Sequence, residues 1–290
     1  MDAIPASANQ EAIEAWNTVL FDKFARFRDA LTTGLAVHGD AALARHPPAA
    51  GARVLDIGCG FGDTTLAIAR LVGAGGSAVG VDAAVRFVES ARADAAAQSV
   101  DNARFEVRDV EADDLGGPYD MAFARFGTMF FANPVAALRN VRAALAPGGL
   151  LCMVVWRRRE DSPALYRAQQ IVEALVPTPD KGEAVTCGPG PFSMAGADLV
   201  SEQLKFAGYQ RISFERHDAP IAIGRDLDDA IEFALALGPA GEHLRLAGDA
   251  ATARMPQVIA ALREAFAPYL RDDGVWLPSS TWIITAQTPG

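Results

Sequence analysis

Basic side chains are in short supply in this chain. Its 290 residues carry 26 Lys and Arg against 36 Asp and Glu, a formal net charge of −10. That balance argues against a protein that lives on phosphate backbones, which needs clustered cations. The one basic run, Arg157-Arg158-Arg159, is followed at once by Glu160-Asp161 and reads as a solvated loop. Cysteine is equally sparse: Cys59, Cys152 and Cys187 form no CxxC pair, and an odd, scattered set is a poor disulfide framework. Long apolar runs are missing too. The longest uncharged apolar stretch, Ala143 to Trp156, is interrupted by Pro147-Gly148-Gly149 and is too short to span a bilayer. The opening Met1-Asp2-Ala3-Ile4-Pro5 has neither the basic nor the apolar region of a secretory signal. The expectation is a soluble, cytoplasmic protein in a reducing setting, without a membrane span and without a nucleic-acid partner. There is no internal repeat and no low-complexity tract, and half of the residues are apolar, so the chain has the means to build a sizeable core.

The hydrophobic rhythm divides the chain into three regions. Between Ala12 and Leu31 the large apolar residues Ile13, Trp16, Leu20, Phe24, Phe27 and Leu31 recur every three or four positions, one face of an amphipathic helix. This helix precedes anything sheet-like, so residues 1–48 read as a helical cap or lid. From Arg53 the pattern alternates short apolar runs with helical stripes. Strands are expected at Val54–Ile57, Ser77–Val81, Arg104–Val107, Tyr119–Ala124 and Leu150–Trp156, with Pro147-Gly148-Gly149 turning the chain into the last of these. Asn133-Pro134 supplies an N-cap and first residue for the helix carrying Val135, Leu138, Val141 and Leu145. Alternation of this kind means parallel βαβ units in residues 49–156. Residues 157–290 add helices at Pro163–Leu175, Ala197–Ala207, Asp226–Leu237 and Pro256–Tyr269, a Pro/Gly-rich loop from Pro177 to Pro191, and late strands at Arg211–Ile223 and Thr281–Ala286. The fold class is therefore α/β. It is a Rossmann-like, doubly wound, mostly parallel seven-stranded sheet with helices on both faces, an N-terminal helical lid and helical insertions after strands five and six.

Ligands of such sheets bind at the carboxyl ends of the strands, where the topology switches. The first strand ends in Asp56-Ile57-Gly58-Cys59-Gly60-Phe61-Gly62-Asp63. Gly58, Gly60 and Gly62 allow a tight turn and close approach to a ligand, and the next helix presents its free N–H groups there. A dinucleotide fingerprint needs its third glycine one residue later, where this chain has Asp63, a carboxylate that would repel a pyrophosphate. Asp56 and Asp63 suit instead a ligand with a positive centre. Asp82 stands 20 residues beyond Gly62, where a carboxylate accepts from ribose hydroxyls. Asp109 ends the third strand and can accept from an exocyclic adenine amine, with the Val110 N–H beside it. Ribose, adenine and a cationic amino-acid tail without phosphate describe S-adenosylmethionine. Plainer roles stand beside these: Asp56 capping its turn, Asp109 in an Asx turn, Asp63 as the N-cap of the following helix, and Cys59 filling a slot without chemistry.

Three stretches, Val54-Leu55-Asp56-Ile57-Gly58-Cys59-Gly60-Phe61-Gly62, Val79-Gly80-Val81-Asp82 and Leu145-Ala146-Pro147-Gly148-Gly149, resemble the motifs of class I S-adenosylmethionine-dependent methyltransferases, in particular the ubiquinone/menaquinone-biosynthesis-like subgroup. The resemblance covers Gly51 to Trp156 and extends to Ser193–Gln287 in outline. It implies that Asp56, Gly58, Gly60 and Gly62 line the methionine moiety, that Asp82 with Ala83 meets the ribose, that Asp109 and Val110 meet the adenine, and that Arg125 lies near the methionine end.

Methyl transfer from a sulfonium is an in-line displacement in which alignment and exclusion of water can suffice. A base is needed only when the nucleophile arrives protonated. Of the four histidines, His38, His46, His217 and His243, His217 is the candidate base. The segment after the fourth strand, Ala124 to Phe131, lacks side chains that would ligate a metal and lacks the Asn/Asp-Pro-Pro-aromatic pattern used on bases and amides. No metal is expected. Met129, Phe130 and Trp156, with Trp16, Phe21 and Phe24 of the lid, are the candidates for an apolar acceptor pocket. The expected partner is a small or medium-sized, largely apolar acceptor, methylated on oxygen, nitrogen or carbon, or else a peptide. A non-catalytic S-adenosylmethionine or S-adenosylhomocysteine binder and an NAD-dependent oxidoreductase are the alternatives, and the sequence leaves the oligomeric state open.

Overall fold

The computed structural model describes residues 6–177 and 190–290; Cys187 and most of the Pro177–Pro191 stretch lie outside them. The chain begins with α1 (Ala6–Ala15), a π-helical segment (Trp16–Leu20), α2 (Phe21–Arg26), a second π segment (Ala30–Gly34) and α3 (Ala36–Arg45). The expected single helix over 12–31 is thus broken into pieces. Phe27 leaves helical geometry at φ −105°, ψ 25°, and the two π turns change the phase of the apolar face. A stripe that a straight helix would present to one surface is shared between two.

The core follows as β1 (Arg53–Ile57), α4 (Asp63–Val72), β2 (Ser77–Asp82), α5 (Val85–Ala97), β3 (Ala103–Val107), β4 (Tyr119–Arg125), α6 (Pro134–Ala144) and β5 (Leu145–Trp156). Beyond it come α7 (Pro163–Leu175), α8 (Ala197–Phe206), β6 (Gln210–Gly224), α9 (Leu227–Ala236), α10 (Gly238–Ala247), α11 (Asp249–Phe266), the two-residue β7 (Leu270–Arg271) and β8 (Gly274–Gln287). The strand order is β3-β2-β1-β4-β5-β8-β6, with β7 paired only to β8. β1 to β5 pair in parallel, and β8 runs antiparallel between β5 and β6. Seven strands thus form the path that the sequence pattern anticipates, and the short β7 is the addition.

Parallel strands covered on both faces read as continuous apolar runs. On one face Val54, Phe123, Val154 and Ile283 pack under α3 and α4 through Ala42, Leu43, Ile68 and Val72. On the other, Leu55, Leu151, Met153 and Ile284 meet Leu138 and Val141 of α6, Leu204 of α8 and Phe266 of α11. The order reverses at β1, which lies between β2 and β4, so the crevice of the sheet opens over the carboxyl ends of those strands.

Three local expectations are corrected. Pro147-Gly148-Gly149 does not precede the fifth strand but lies inside it: pairing with β4 jumps from Tyr119↔Leu145 to Met121↔Leu150. The irregularity persists because the end of the chain completes its hydrogen bonds. Gly148 N–H donates to the Pro289 carbonyl, and Thr288 N–H donates to the Gly149 carbonyl. Arg157 is not solvated like its neighbours; it lies 4.4 Å over the Trp282 ring and pairs with Asp161. The last helix begins at Asp249, so Pro256 sits within it rather than at its first position, and α10 was not apparent from the sequence. Seven helix-compatible residues precede that proline and outweigh its missing N–H.

An exposed proline inside a helix costs about 3 kcal/mol relative to alanine. Pro256→Ala is therefore expected to stabilise the protein by about 1–3 kcal/mol, measured as a higher thermal midpoint. An unchanged or lower midpoint would mean that the bend it imposes is needed by the packing of α11.

Candidate active site

The glycine turn between β1 and α4 is shaped by the backbone that its residues allow. Gly58, Gly60 and Gly62 all have positive φ, and Gly62 (φ +83°) is the N-cap of α4. A Cβ on Gly62 would lie 2.7 Å from both Ala91 Cβ and Phe105 Cε1, so glycine is required there by conformation and by space. Over Gly60 the space is open. The Gly60 N–H donates to Asp82 Oδ2 (3.0 Å), and the Ala84 N–H donates to Asp82 Oδ1 (2.9 Å). One carboxylate at the end of β2 thus ties the glycine turn to the start of α5, with Ala83 in the bend between them. Burial pushes the Asp82 carboxyl up from its usual range, and the two N–H donors oppose that rise.

Asp56 is 1% exposed beneath the turn and accepts from Thr65 Oγ1 of α4 at 2.5 Å. Burial raises its pKa to about 7, against that hydrogen bond and the nearby Arg125 cation. Asp63 is the first residue of α4 rather than its cap; its carboxylate pairs with Arg125 at the end of β4, 2.6 Å apart. Arg125 also donates to the Thr32 carbonyl of the cap (3.3 Å). A cavity of about 280 Å³ opens beside this ion pair, lined among others by Thr32, Asp40, Asp63, Thr64 and Arg125. At the end of β3, Asp109 Oδ1 accepts from Glu111 N–H (2.9 Å), the Asx turn that was its plainer role, and the buried Val110 offers its carbonyl to Asn140.

The cap lies on this turn. Trp16 meets Phe24, Phe87 and Phe130 edge-on with centroids 5.1–6.4 Å apart, and Phe21 meets Phe61 and Phe87 at 6.0 and 4.9 Å. Phe61 belongs to the glycine turn and Phe87 to α5. Trp16, Phe21, Phe24 and Phe130 are therefore brought together over the carboxyl ends of β1, β2 and β4. Met129 and Trp156 are not with them. Met129 is 1% exposed in the core, and Trp156, 5% exposed, stacks on Phe126 at 4.3 Å. Both follow strand ends, but their side chains pack inward, so they do not line the cap's aromatic surface.

His217 has a partner that sequence reasoning missed. His38 of α3 is fully buried, with Nδ1 3.0 Å from His217 Nδ1 and Nε2 2.7 Å from Ser279 Oγ. Burial and the neighbouring His217 and Arg125 lower the His38 pKa to about 3, against the pull of Asp218. Burial and then Arg45 lower that of His217, again against Asp218. The only available signal was the position of His38 on an otherwise apolar helix face. Among the described residues no group of His, Cys, Asp or Glu converges as metal ligands, and no helix is long and apolar enough to cross a membrane.

Residues 48–187 match the methyltransferase domain family model. A ubiquinone biosynthesis O-methyltransferase from Cereibacter sphaeroides is 34% identical over 140 residues, 47% of this chain and 54% of that protein. The chain thus spans about half the length of that curated relative. Among solved structures, the YcgJ protein from Bacillus subtilis superposes with a TM-score of 0.56 at 19% identity, over 89% of this chain and 99% of that one. Phosphoethanolamine N-methyltransferase 2 of Haemonchus contortus, in complex with S-adenosylmethionine, superposes at 0.51 and 17% identity, over 86% and 52% of the two chains. These likenesses share the sheet described above. Over residues 48–187 the chain is therefore similar to the methyltransferase domain of S-adenosylmethionine-dependent methyltransferases.

Asp56 and His38 pull stability in opposite directions with pH. The raised pKa of Asp56 makes the folded state bind an extra proton between about pH 4 and 7, so stability falls as pH rises through that window. The lowered pKa of His38 makes the folded state bind one fewer between about 6.5 and 3, so stability falls as pH drops. Where the windows overlap the two slopes cancel. Asp56→Asn is expected to be more stable than wild type at pH 8, by at most about 4 kcal/mol. The same variant should lose stability steeply from pH 6.5 to 4. Thermal midpoints across this range check it; a variant that tracks wild type at both ends would sink the assignment.

Proposed function

We propose that this protein transfers a methyl group from S-adenosylmethionine to a small or medium-sized, largely apolar acceptor. The observation that carries the reading is the Asp82 clamp: a carboxylate holding the Gly60 amide under open space, with further carboxylates at Asp56 and Asp63 where a pyrophosphate would have to sit. This donor set suits a phosphate-free nucleoside with a zwitterionic tail. In this reading Asp82 and Ala83 face the ribose and Asp109 and Val110 the adenine. Gly58, Gly60 and Gly62 let the methionine moiety approach the backbone, supported from below by Asp56, and Arg125 answers its carboxylate. When bound, S-adenosylmethionine supplies a sulfonium methyl group as electrophile. The chain's own contribution is to orient both reactants and to exclude water, which the aromatic cap of Trp16, Phe21, Phe24 and Phe130 does. The organisation that goes with this reading is a cap at 1–48, a cofactor-binding core at 49–156 and acceptor-covering late elements at 157–290.

Calorimetric titration with S-adenosylhomocysteine and, separately, NAD tests the proposal. Saturable binding of S-adenosylhomocysteine alone is expected. Asp82→Ala should weaken it at least 10-fold, since charge-assisted hydrogen bonds contribute roughly 1.5–3 kcal/mol each. Binding of NAD instead would overturn the reading. A mass-shift screen then separates small acceptors from peptides, and binding without any transfer would point to a non-catalytic binder.

A further inference from the structure

His38 and His217 lie where the cap, the sheet and the strand ends meet. His217, Thr281 and Trp156 stand in one row across β6, β8 and β5, at the carboxyl end of β5. The His38 ring lies 5.7 Å from that of Trp156 and 6.1 Å from that of Phe126, which follows Arg125. The adjoining Gly39 is so close to Arg125 that an added Cβ would fall 2.8 Å from its Cδ. The pair therefore shares the edge of the crevice with the Arg125–Asp63 ion pair.

The hydrogen bonds fix the protons. Ser279 Oγ–H donates to the Ala219 carbonyl at 2.7 Å, which commits its only proton, so at 2.7 Å from His38 it accepts, and His38 Nε2 carries the hydrogen. His38 is neutral, so its Nδ1 is a lone pair. Two lone pairs cannot face each other at 3.0 Å, so His217 Nδ1 carries a hydrogen and donates to it. Thr281 Oγ1, 3.0 Å from the same His38 nitrogen, also reaches the His217 carbonyl at 3.3 Å. The lone pair of a neutral His217 is thereby left on Nε2. Around the pair stand Arg45 on α3, Asp218 beside His217, and Arg125 at the end of β4. Arg45 is itself engaged with Glu215, which also accepts from His46.

We propose that Nε2 of His217 is the proton acceptor for a hydroxyl-bearing methyl acceptor, a phenol or an enol, and that His38 is a positioning residue that holds His217 in the Nδ1–H form. The inference rests on the methyltransferase reading above and deepens it. The acceptor O–H bond breaks with its proton passing to His217 Nε2. The oxygen's electron pair forms the bond to the methyl carbon, and the pair of the broken sulfur–methyl bond stays on sulfur. The proton then leaves His217 to solvent, which the partial exposure of this ring permits.

Nitrogen-15 NMR of the histidine side chains tests it without turnover. In wild type, His217 is expected as the Nδ1–H tautomer. His38→Phe, which keeps the ring's bulk but offers no acceptor, should release it to the Nε2–H form, and His38→Asn, whose amide oxygen can accept, should restore the original. An Nε2–H His217 in wild type, or an unchanged spectrum in His38→Phe, overturns the proposal. Calorimetry with S-adenosylhomocysteine on each protein keeps the two readings apart. Wild type failing to bind sinks the cofactor assignment, whereas normal binding with the wrong tautomer sinks only this one. With a 4-alkylphenol as probe acceptor, the wild-type rate should rise with pH through a midpoint below 6.5. His217→Gln should lower kcat at least 100-fold with little change in KM. Equal kcat values in the two proteins would overturn it.

Discussion

The hydrogen bond from Gly60 to Asp82 is the constraint on which the upper surface of this molecule depends. A turn with three residues at positive φ has many conformations open to it, and glycine loses the most freedom on being ordered. The Asp82 carboxylate selects one of them by holding Gly60 and Ala84 together, which sets the distance between the starts of α4 and α5. Phe61 and Phe87 are carried on those two starts and lie 4.9 Å apart, and the cap docks on the surface they make. Two cations of this region lie over its rings, Arg28 over Phe61 at 4.6 Å and Arg86 over Phe21 at 4.0 Å. Each is also paired with a carboxylate of the opposite element, Asp94 of α5 and Asp22 of the cap. The cap's seating is thus a consequence of the turn's geometry.

Electrostatics beneath the turn follow from the same crowding. Burial, with the Asp63 and Asp82 carboxylates nearby, raises the Asp56 pKa, and Arg125 is the cation that opposes the rise. It is 11% exposed and bound to Asp63, while its charge also reaches Asp56 and His38. Burial first, then His217 and to a lesser degree this cation, keep His38 neutral, and a neutral His38 is what gives the histidine pair a defined direction. The carboxylate cluster and the histidine pair, both within reach of the Arg125 charge, are therefore one electrostatic unit.

Much of the sheet was legible because its strands are continuous apolar runs ending at Gly or Asp, and a parallel, two-faced strand has little else it can be. Gly58, Gly60, Gly62 and Asp82 were legible for a related reason, since their spacing is imposed by local geometry. What could not be read is what depends on distant packing. The helix over 12–31 has an unbroken three-to-four spacing, but its aromatic residues are shared between the glycine turn and α9, where Phe27 meets Phe233 at 5.6 Å. Met129 and Trp156 follow strand ends as pocket residues would, yet their side chains turn into the core. Asp63 has the residue type of an N-cap, but Gly62 takes that position and frees the carboxylate for Arg125. His38 carried no signal beyond its place on an apolar helix face, because its partners on β6 and β8 are about 180 and 240 residues away.

That distribution bears on how far relatives can inform the acceptor. The family match spans residues 48–187 and so contains the glycine turn, Asp82, Asp109 and Arg125. Trp16, Phe21, Phe24, His38 and His217 all lie outside it. The cap is bound to both halves of the fold: Arg26 pairs with Glu232 of α9 at 2.5 Å, and Arg28 pairs with Asp94 of α5. The cap therefore joins the first and last parts of the chain over a glycine turn built by the middle, and on the proposed reading these parts form the acceptor side. Substitutions in the outer parts can change which molecule is held against the crevice while leaving the turn and its clamp intact. On the proposed reading, the family match over residues 48–187 speaks to the methyl donor, and the acceptor has to be read from the cap and from the histidine pair.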